Sequence, residues 1–107
     1  MKGYQLTFFT EQSRRHGHLP VSEWLLKLAK DHGAVGGTVV GGAEGIDHTG
    51  RLHSAHFFEL ADQPVAITIS IEEAAGQRLM EALDQEDLGL SYVKVAAEFG
   101  RLGQGGR

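Results

Sequence analysis

The sequence predicts an α+β fold in which a single sheet is covered by two helices, and three observations predict it. The chain has 107 residues, which is the size of one domain. Several segments have strand-like apolar patterns, and two others repeat apolar side chains at helical spacing. Their order is β-α-β, a long connection with an additional strand-like segment, and β-α-β. This order is typical of the ferredoxin-like split βαβ sandwich (β-α-β-β-α-β), which has both helices on one face of an antiparallel sheet.

The first half begins with a strand at residues 4–10, which alternate between two faces and are rich in aromatic side chains. Residues 11–18 form a polar, basic connection. Pro20 suits the first turn of the following helix, because its missing N–H is not needed there. We expect that helix to end at Gly33 in a left-handed turn, and residues 36–42 to form a short strand.

A long connection separates the two halves. Residues 43–51 are loop-like, whereas residues 52–60 predict a strand or the arm of a hairpin. Residues 62–64 (Asp-Gln-Pro) then interrupt the pattern. We therefore treat residues 43–62 as one connecting segment.

The second half begins with a half-buried strand at residues 65–71. Residues 70–73 (Ser-Ile-Glu-Glu) fit the capping box, in which the serine hydroxyl accepts a hydrogen bond from the N–H three residues later. The helix contains Gly76, which is expected to cost about 1 kcal/mol relative to alanine, and it ends before Gly89. Residues 90–99 predict the last strand.

These elements imply one domain over residues 1–99, followed by a flexible C-terminal tail at residues 100–107 (GRLGQGGR). Because both helices cover the same face of the sheet, nothing in the chain is expected to cover the other face. Exposed apolar sheet surface marks an association site, so we expect an oligomer.

Composition and charge exclude several classes of protein. The chain has no cysteine, which excludes disulfides, thiolate zinc sites and a cysteine nucleophile and favours a cytoplasmic setting. A formal charge of −4 argues against nucleic-acid binding, and no apolar run is long enough for direct membrane insertion. Eight acids against Arg78 alone lie between Glu59 and Asp87, which is more typical of a solvated acidic helix than of a subunit contact.

The glycines and arginines are the candidates for ligand binding. Residues 41–45 (Gly-Gly-Ala-Glu-Gly) can bring backbone N–H groups close to an anion, with a bulged strand end and a mobile loop as the default alternative. Arg14 and Arg15 can grip a phosphate or a carboxylate, with a solvated basic turn as the alternative. Trp24 falls on the apolar face of its helix, which favours core packing.

The six histidines raise the question of a metal site. His16 and His18 lie on one side of the chain if that piece is extended, and neutral imidazole suits zinc, copper or nickel. Scattered surface histidines are the default alternative. The serines have no recognisable nucleophile context and no carboxylate pair stands out, so we expect no enzymatic activity.

Nearly the whole chain resembles one protein family. The segments KGYQLTFFTEQSRRHGHLPVSEWLLKLA, GTVVGGAEGI and GRLHSAHFFELADQPVAITI are similar to the uncharacterised bacterial and archaeal DUF190 family, most specifically in the RRHGH turn before Trp24. DUF190 proteins resemble the nitrogen-regulatory PII proteins and the CutA1 proteins. Both groups are ferredoxin-like homotrimers, so the resemblance implies the same fold and assembly here.

The PII resemblance implies a role for each part of the connection. Residues 42–45 match the base of the PII T-loop and residues 46–62 match its arm, which contacts partner proteins. We therefore expect a membrane transporter or an enzyme as the partner of residues 43–62. PII proteins bind adenine nucleotides between subunits, partly through a basic loop that is replaced here by Glu86-Asp87-Leu88-Gly89, and these acids would repel a triphosphate. The candidate ligand-binding residues are Gly42, Gly45, Arg14, Arg15, Arg51, Lys94 and Arg101.

Three functional hypotheses follow from these observations. The first is a non-enzymatic, PII-like signalling trimer that binds a small anionic ligand such as an adenine nucleotide between subunits and reports it through residues 43–62. The alternative is a CutA1-like trimer that binds a divalent metal through His16 and His18, with His53 or His56 from a neighbouring subunit. The third is a structural adaptor without a small ligand.

Overall fold

The computed structural model describes residues 1–54 and 63–103. In chain order the elements are β1 (Lys2–Glu11), β2 (Arg15–His16), β3 (Leu19–Pro20), α1 (Val21–Asp31), β4 (Gly36–Gly41), β5 (Glu44–Ile46), β6 (Leu52–Ser54), β7 (Pro64–Glu72), α2 (Glu73–Asp84) and β8 (Ser91–Glu98).

The four longer strands form one antiparallel sheet in the order β4-β7-β1-β8. Strand β1 lies inside the sheet and pairs with β7 on one side and with β8 on the other. The short strands pair among themselves, β2 with β3 and β5 with β6. The ferredoxin-like order of strands and helices predicted from the sequence is thereby confirmed.

The hydrophobic core lies between the sheet and the two helices. Alternation along β1 and β7 sends every second side chain toward the helices, as the period of two predicts. Helix α1 contributes Leu25 and helix α2 contributes Leu79, both fully buried. The other large buried core side chains are Leu6, Phe8, Ile67, Ile69 and Ile71.

The opposite face of the sheet, called here the open face, carries exposed apolar side chains. Phe9, Val40, Val93 and Val95 are 45%, 56%, 49% and 48% exposed. Their strand partners Ser91, Ala66, Thr7 and Gln5 are small or polar. Within the described part of a single chain, no helix packs on this face. The uncovered face expected from the sequence is present.

The capping box predicted at residues 70–73 is wrong. Ser70 and Ile71 remain in β7, where Ile71 pairs with Tyr4, and the strand continues through Glu72. Glu72 is the residue that caps α2, and it makes no side-chain capping hydrogen bond. Pairing with β1 keeps the backbone extended up to Glu72, so the chain cannot turn at Ser70.

The connection predicted as a loop at residues 43–51 contains a strand. Strand β5 pairs with β6 in a short hairpin, with Glu44 opposite Ser54 and Ile46 opposite Leu52. Strand β6 lies within the predicted arm of residues 52–60, whose remainder is outside the described residues. The glycines of this region therefore flank paired strands as well as a turn.

The helices follow the sequence pattern closely. Pro20 immediately precedes α1 as its N-cap, and Gly33 has φ 90° in the left-handed turn beyond the helix, as predicted. Trp24 packs against the core from α1. No helix in the described part of the chain combines the length and the apolar character needed to span a membrane.

Candidate ligand-binding cleft

A cavity of about 720 Å³ lies at one end of the sheet, where β1 and β4 finish and β7 and β8 begin. We call it the cleft. The β5 strand and its turn form one wall, and the loop between α2 and β8 forms another. The side chains and backbone that line it belong to Phe9, Thr10, Glu11, Arg14, Val40, Gly42, Glu44, Gly45, Ile46, Asp47, His48, Pro64, Val65, Ala66, Leu88, Gly89 and Ser91.

Gly42 and Gly45, both predicted from the sequence, lie in the wall of this cleft. The Gly42 N–H donates to the Pro64 carbonyl at 2.7 Å, which extends the pairing of β4 and β7 by one residue. A Cβ atom at Gly45 would lie 3.0 Å from Pro64 Cγ, so packing favours glycine there. At Gly42 the nearest atom would be 3.5 Å away, an ordinary contact, so the space around Gly42 does not require glycine.

Arg14 also lines the cleft, and two backbone hydrogen bonds fix its position. Its N–H donates to the Glu11 carbonyl at 3.1 Å, and its own carbonyl accepts from the Val21 N–H at 2.9 Å. Arg14 is thus held between the end of β1 and the start of α1. A guanidinium in this place can reach a phosphate or a carboxylate in the cleft.

Among the described residues, more carboxylates than bases line the cleft. Three carboxylates line it, from Glu11, Glu44 and Asp47, against the single guanidinium of Arg14. The carboxylates repel an anionic ligand at close range, and the repulsion grows with the negative charge on the ligand. A ligand with many phosphates would need cations beyond those that line the cleft in the described part of the chain.

Two other predicted cations are held in place by the short hairpins. Arg15 Nη1 donates to the His18 carbonyl at 3.0 Å across the turn that joins β2 to β3. Arg51 lies at the end of the turn after β5, and its N–H donates to Asp47 Oδ1 at 2.9 Å. Neither lines the cleft of its own chain.

The remaining predicted cations lie on or beyond β8. Lys94 pairs with Leu6 and so faces the helices, and its Nζ lies 4.8 Å from the centre of the Tyr4 ring. Arg101 follows β8 and is exposed. The structure therefore brings together Gly42, Gly45 and Arg14 in one chain, and leaves Arg15, Arg51, Lys94 and Arg101 outside that cleft.

A hydrogen-bonded turn at residues 47–51 closes the β5–β6 hairpin. Asp47 Oδ1 accepts from the Thr49 N–H at 2.9 Å, from Thr49 Oγ1 at 2.6 Å and from the Arg51 N–H at 2.9 Å. The Gly50 N–H donates to the Asp47 carbonyl at 2.9 Å. Asp47 lines the cleft as well, so the shape of the turn and the wall of the cleft depend on the same residue.

His16 and His18, the proposed metal ligands, occupy a two-strand hairpin rather than one extended piece. The chain reverses at Gly17, which has φ 62°. The His16 ring stacks on Trp24 at 4.0 Å between centroids, and its Nε2 lies 3.1 Å from Glu86 Oε2. Across residues 1–54 and 63–103 no three His, Cys, Asp or Glu side chains are placed to hold a metal ion. His56, named for the metal alternative, lies outside the described residues.

Several cleft residues were not singled out from the sequence. Phe9, Val40 and Ala66 share the open face and form part of the apolar wall of the cleft. Strand alternation places Phe9 on the face of β1 away from the core side chains, so the position of Phe9 could be predicted from the sequence. Leu88 lies near them because of the order of the strands in the sheet. A local sequence pattern does not show that order.

Comparison with known proteins gives a family and a fold. The DUF190 family model, described as "Uncharacterized ACR", matches residues 3–89. No curated protein matches the chain. Among solved structures, CPII from Thiomonas intermedia K12, a nitrogen regulatory PII-like protein bound to ADP, AMP and bicarbonate, has a TM-score of 0.70. The match has 20% identity and covers 94% of this chain and 91% of that chain.

A second solved structure has the same architecture. A protein from Thermus thermophilus, described as a PII-like signalling protein, matches with a TM-score of 0.61 and 15% identity. The match covers 90% of this chain and 85% of that chain. At these identities the likeness shows a shared PII-like fold.

Proposed function

The chain belongs to the DUF190 family, and on this premise we propose that it is a PII-like regulatory protein that binds a small anionic ligand, such as an adenine nucleotide, in the cleft. The observation that best supports this proposal is the cleft of about 720 Å³ with Gly42, Gly45 and Arg14 in its wall. The nucleotides and bicarbonate bound by CPII, which has a similar fold, support this class of ligand.

We propose further that the protein acts as a homotrimer with its ligand sites between subunits. The exposed apolar side chains of the open face support association, because such surface is normally covered. The charge of the cleft supports a shared site, since three carboxylates oppose one arginine in a single chain. Arg15, Lys94 and Arg101 of a neighbouring subunit are the proposed additional phosphate contacts, and Arg51 at the hairpin turn is another.

The proposed output is non-enzymatic and uses the connection at residues 43–62. A ligand that contacts Gly42 and Gly45 would restrict the base of the β5–β6 hairpin and shift its population toward one partner-binding shape. A membrane transporter or an enzyme is the proposed partner of this segment. The hydrogen-bonded turn at Asp47 supports a hairpin with a defined shape at the edge of the cleft.

Calorimetric titration with AMP, ADP and ATP tests the ligand. We expect binding of AMP and ADP and weaker binding of ATP, because each further phosphate adds repulsion from the cleft carboxylates. Arg14→Gln should lower the affinity by at least about tenfold, since a charge-assisted hydrogen bond contributes about 1.5–3 kcal/mol. Arg78→Gln is the matched control, because Arg78 is exposed on α2 and does not line the cleft.

Gly42→Ala separates ligand contact from folding in the same titration. The added Cβ would be 3.5 Å from the nearest atom, so thermal stability should be unchanged. Nucleotide affinity should fall, because the ligand is proposed to contact Gly42. Absence of heat with all three nucleotides would contradict the nucleotide proposal. Equal losses in Arg14→Gln and Arg78→Gln would place the site elsewhere.

A further inference from the structure

A second concave surface, called here the acidic groove, lies between the C-terminal half of α2 and the start of β8. It encloses about 580 Å³. Tyr92 stands on the helix side of β8, opposite Phe8, and is 54% exposed. The apolar lining consists of Phe8, Met80, Leu83, Leu88, Leu90 and Tyr92.

Carboxylates outnumber bases around the groove, and Lys94, the next side chain on the helix side of β8, is turned to the Tyr4 ring. Of the residues that the structure describes, Glu81, Asp84 and Asp87 line the groove, and no lysine, arginine or histidine does. None of the three forms an ion pair or side-chain hydrogen bond with another residue in the described ranges. Helix α2 also has no base in its last turn, so the partial negative charge of its C-terminus adds to theirs. The surface is therefore both apolar and strongly attractive to cations.

The strand beside the groove can accept another strand. In the sheet order β4-β7-β1-β8, β8 is at an edge and its one neighbour among the described strands is β1. An edge strand presents unpaired N–H and C=O groups that an extended peptide can bond. A peptide paired along β8 would place alternate side chains on the side of Tyr92 and Asp84. The geometry thus favours an extended occupant over a helical one.

From these features we infer that the acidic groove is a docking surface for an extended segment of a partner protein that carries arginine or lysine beside large apolar side chains. Apolar side chains of the segment pack on Tyr92, Leu90 and Met80. Its cations face Glu81, Asp84 and Asp87. This surface is additional to the connection at residues 43–62 and takes a protein segment rather than a small anion.

Fluorescence anisotropy with a labelled heptapeptide, Arg-Ser-Leu-Ser-Arg-Ser-Phe, tests the inference on the full chain, because its arginines and apolar side chains share one face of a strand. We expect the wild type to bind this peptide and not the counterpart with glutamate in place of arginine. The Glu81→Lys variant should lose about tenfold in affinity, and the double variant with Asp84→Lys should lose more. Tyr92→Ser should weaken binding about fivefold without any change of charge.

Glu73→Lys is the matched control, because Glu73 is exposed in the first turn of α2 and lies outside the groove. It makes the same change of net charge as Glu81→Lys and should leave the affinity unchanged. Backbone amide NMR shifts in the wild type, which need no variant, should concentrate at residues 80–92. The inference is overturned if the wild type does not bind, or if Glu73→Lys weakens binding as much as Glu81→Lys. It is also overturned if Tyr92→Ser has no effect, or if the double variant changes the sedimenting mass and so shows that a second copy covers the groove.

Discussion

Gly76 fixes how closely helix α2 approaches the sheet. A Cβ atom at this position would lie 2.9 Å from Cδ2 of Tyr4 and 3.0 Å from Cγ2 of Ile71. Both neighbours belong to strands under the helix, and Ile71 is fully buried. The glycine, unfavourable for an isolated helix, is explained by close packing.

Gly76→Ala is therefore expected to destabilise the protein despite the better helix propensity of alanine. Overpacking costs about 1–3 kcal/mol and the propensity gain is about 1 kcal/mol, so the free energy of unfolding should fall by up to about 2 kcal/mol. Urea denaturation measures this difference. Gly36→Ala, whose Cβ would meet nothing within 4 Å, is the control and should not destabilise. A Gly76→Ala protein as stable as the wild type would mean that the Tyr4 ring moves aside.

The alternation of side chains between the two faces of the sheet decides which of the predicted site residues meet in a single chain. Lys94 is an attractive phosphate ligand in the sequence, yet its pairing with Leu6 directs it to the helix side of the sheet. Arg14 reaches the cleft because it lies in the turn after β1, outside strand alternation. The sequence and the family resemblance pointed to the glycines and Arg14. The carboxylates that oppose them meet only through the order of the strands.

At the scale of elements, local patterns predicted the long strands and helices, misplaced the boundary at Ser70 and missed the short strand β5. The apolar side chains that alternate in β1 and β7 and recur at helical spacing in α1 are the ones that the fold buries. The motif at Ser70 failed because pairing with β1 continues to Glu72, and such long-range pairing outweighs a local capping preference. Strand β5 has three residues with turn signals on both sides. Three residues are too few to show the alternation of apolar and polar side chains that predicts a strand.

The β5–β6 hairpin depends on one side chain, and its removal has a specific expected effect. Asp47→Ala deletes the oxygen that accepts from Thr49 and Arg51, so we expect faster hydrogen exchange of those two amides and faster tryptic cleavage after Arg51. Global stability should change little, because the turn is exposed. Asp47→Asn keeps an amide oxygen in the same place and should restore much of the protection. Equal exchange rates in wild type and Asp47→Ala would contradict the role of this turn.

For the whole molecule, the open face is the feature that a single chain leaves unexplained. Four apolar side chains lie there half exposed or nearly so, and charge placed among them should oppose association. We expect the wild type to sediment at about three times the 11.6 kDa of one chain, and Val95→Glu to shift the mass toward the monomer.

Val35→Glu is the control for that measurement. Val35 is 54% exposed and precedes β4, at the end of that strand away from the cleft, so its substitution should leave the sedimenting mass unchanged. A monomeric wild type would contradict the trimer. A Val95→Glu protein with the wild-type mass would contradict the open face as its interface.

Leu88 and Gly89 line both the cleft and the acidic groove, so these two residues form a partition between two cavities. If an anion in the cleft moves this partition, it alters the free energy of peptide docking on the other side. Thermodynamic reciprocity then requires the peptide to change the affinity for the anion by the same factor. Through two residues, a small metabolite and a protein partner would each become an effector of the other.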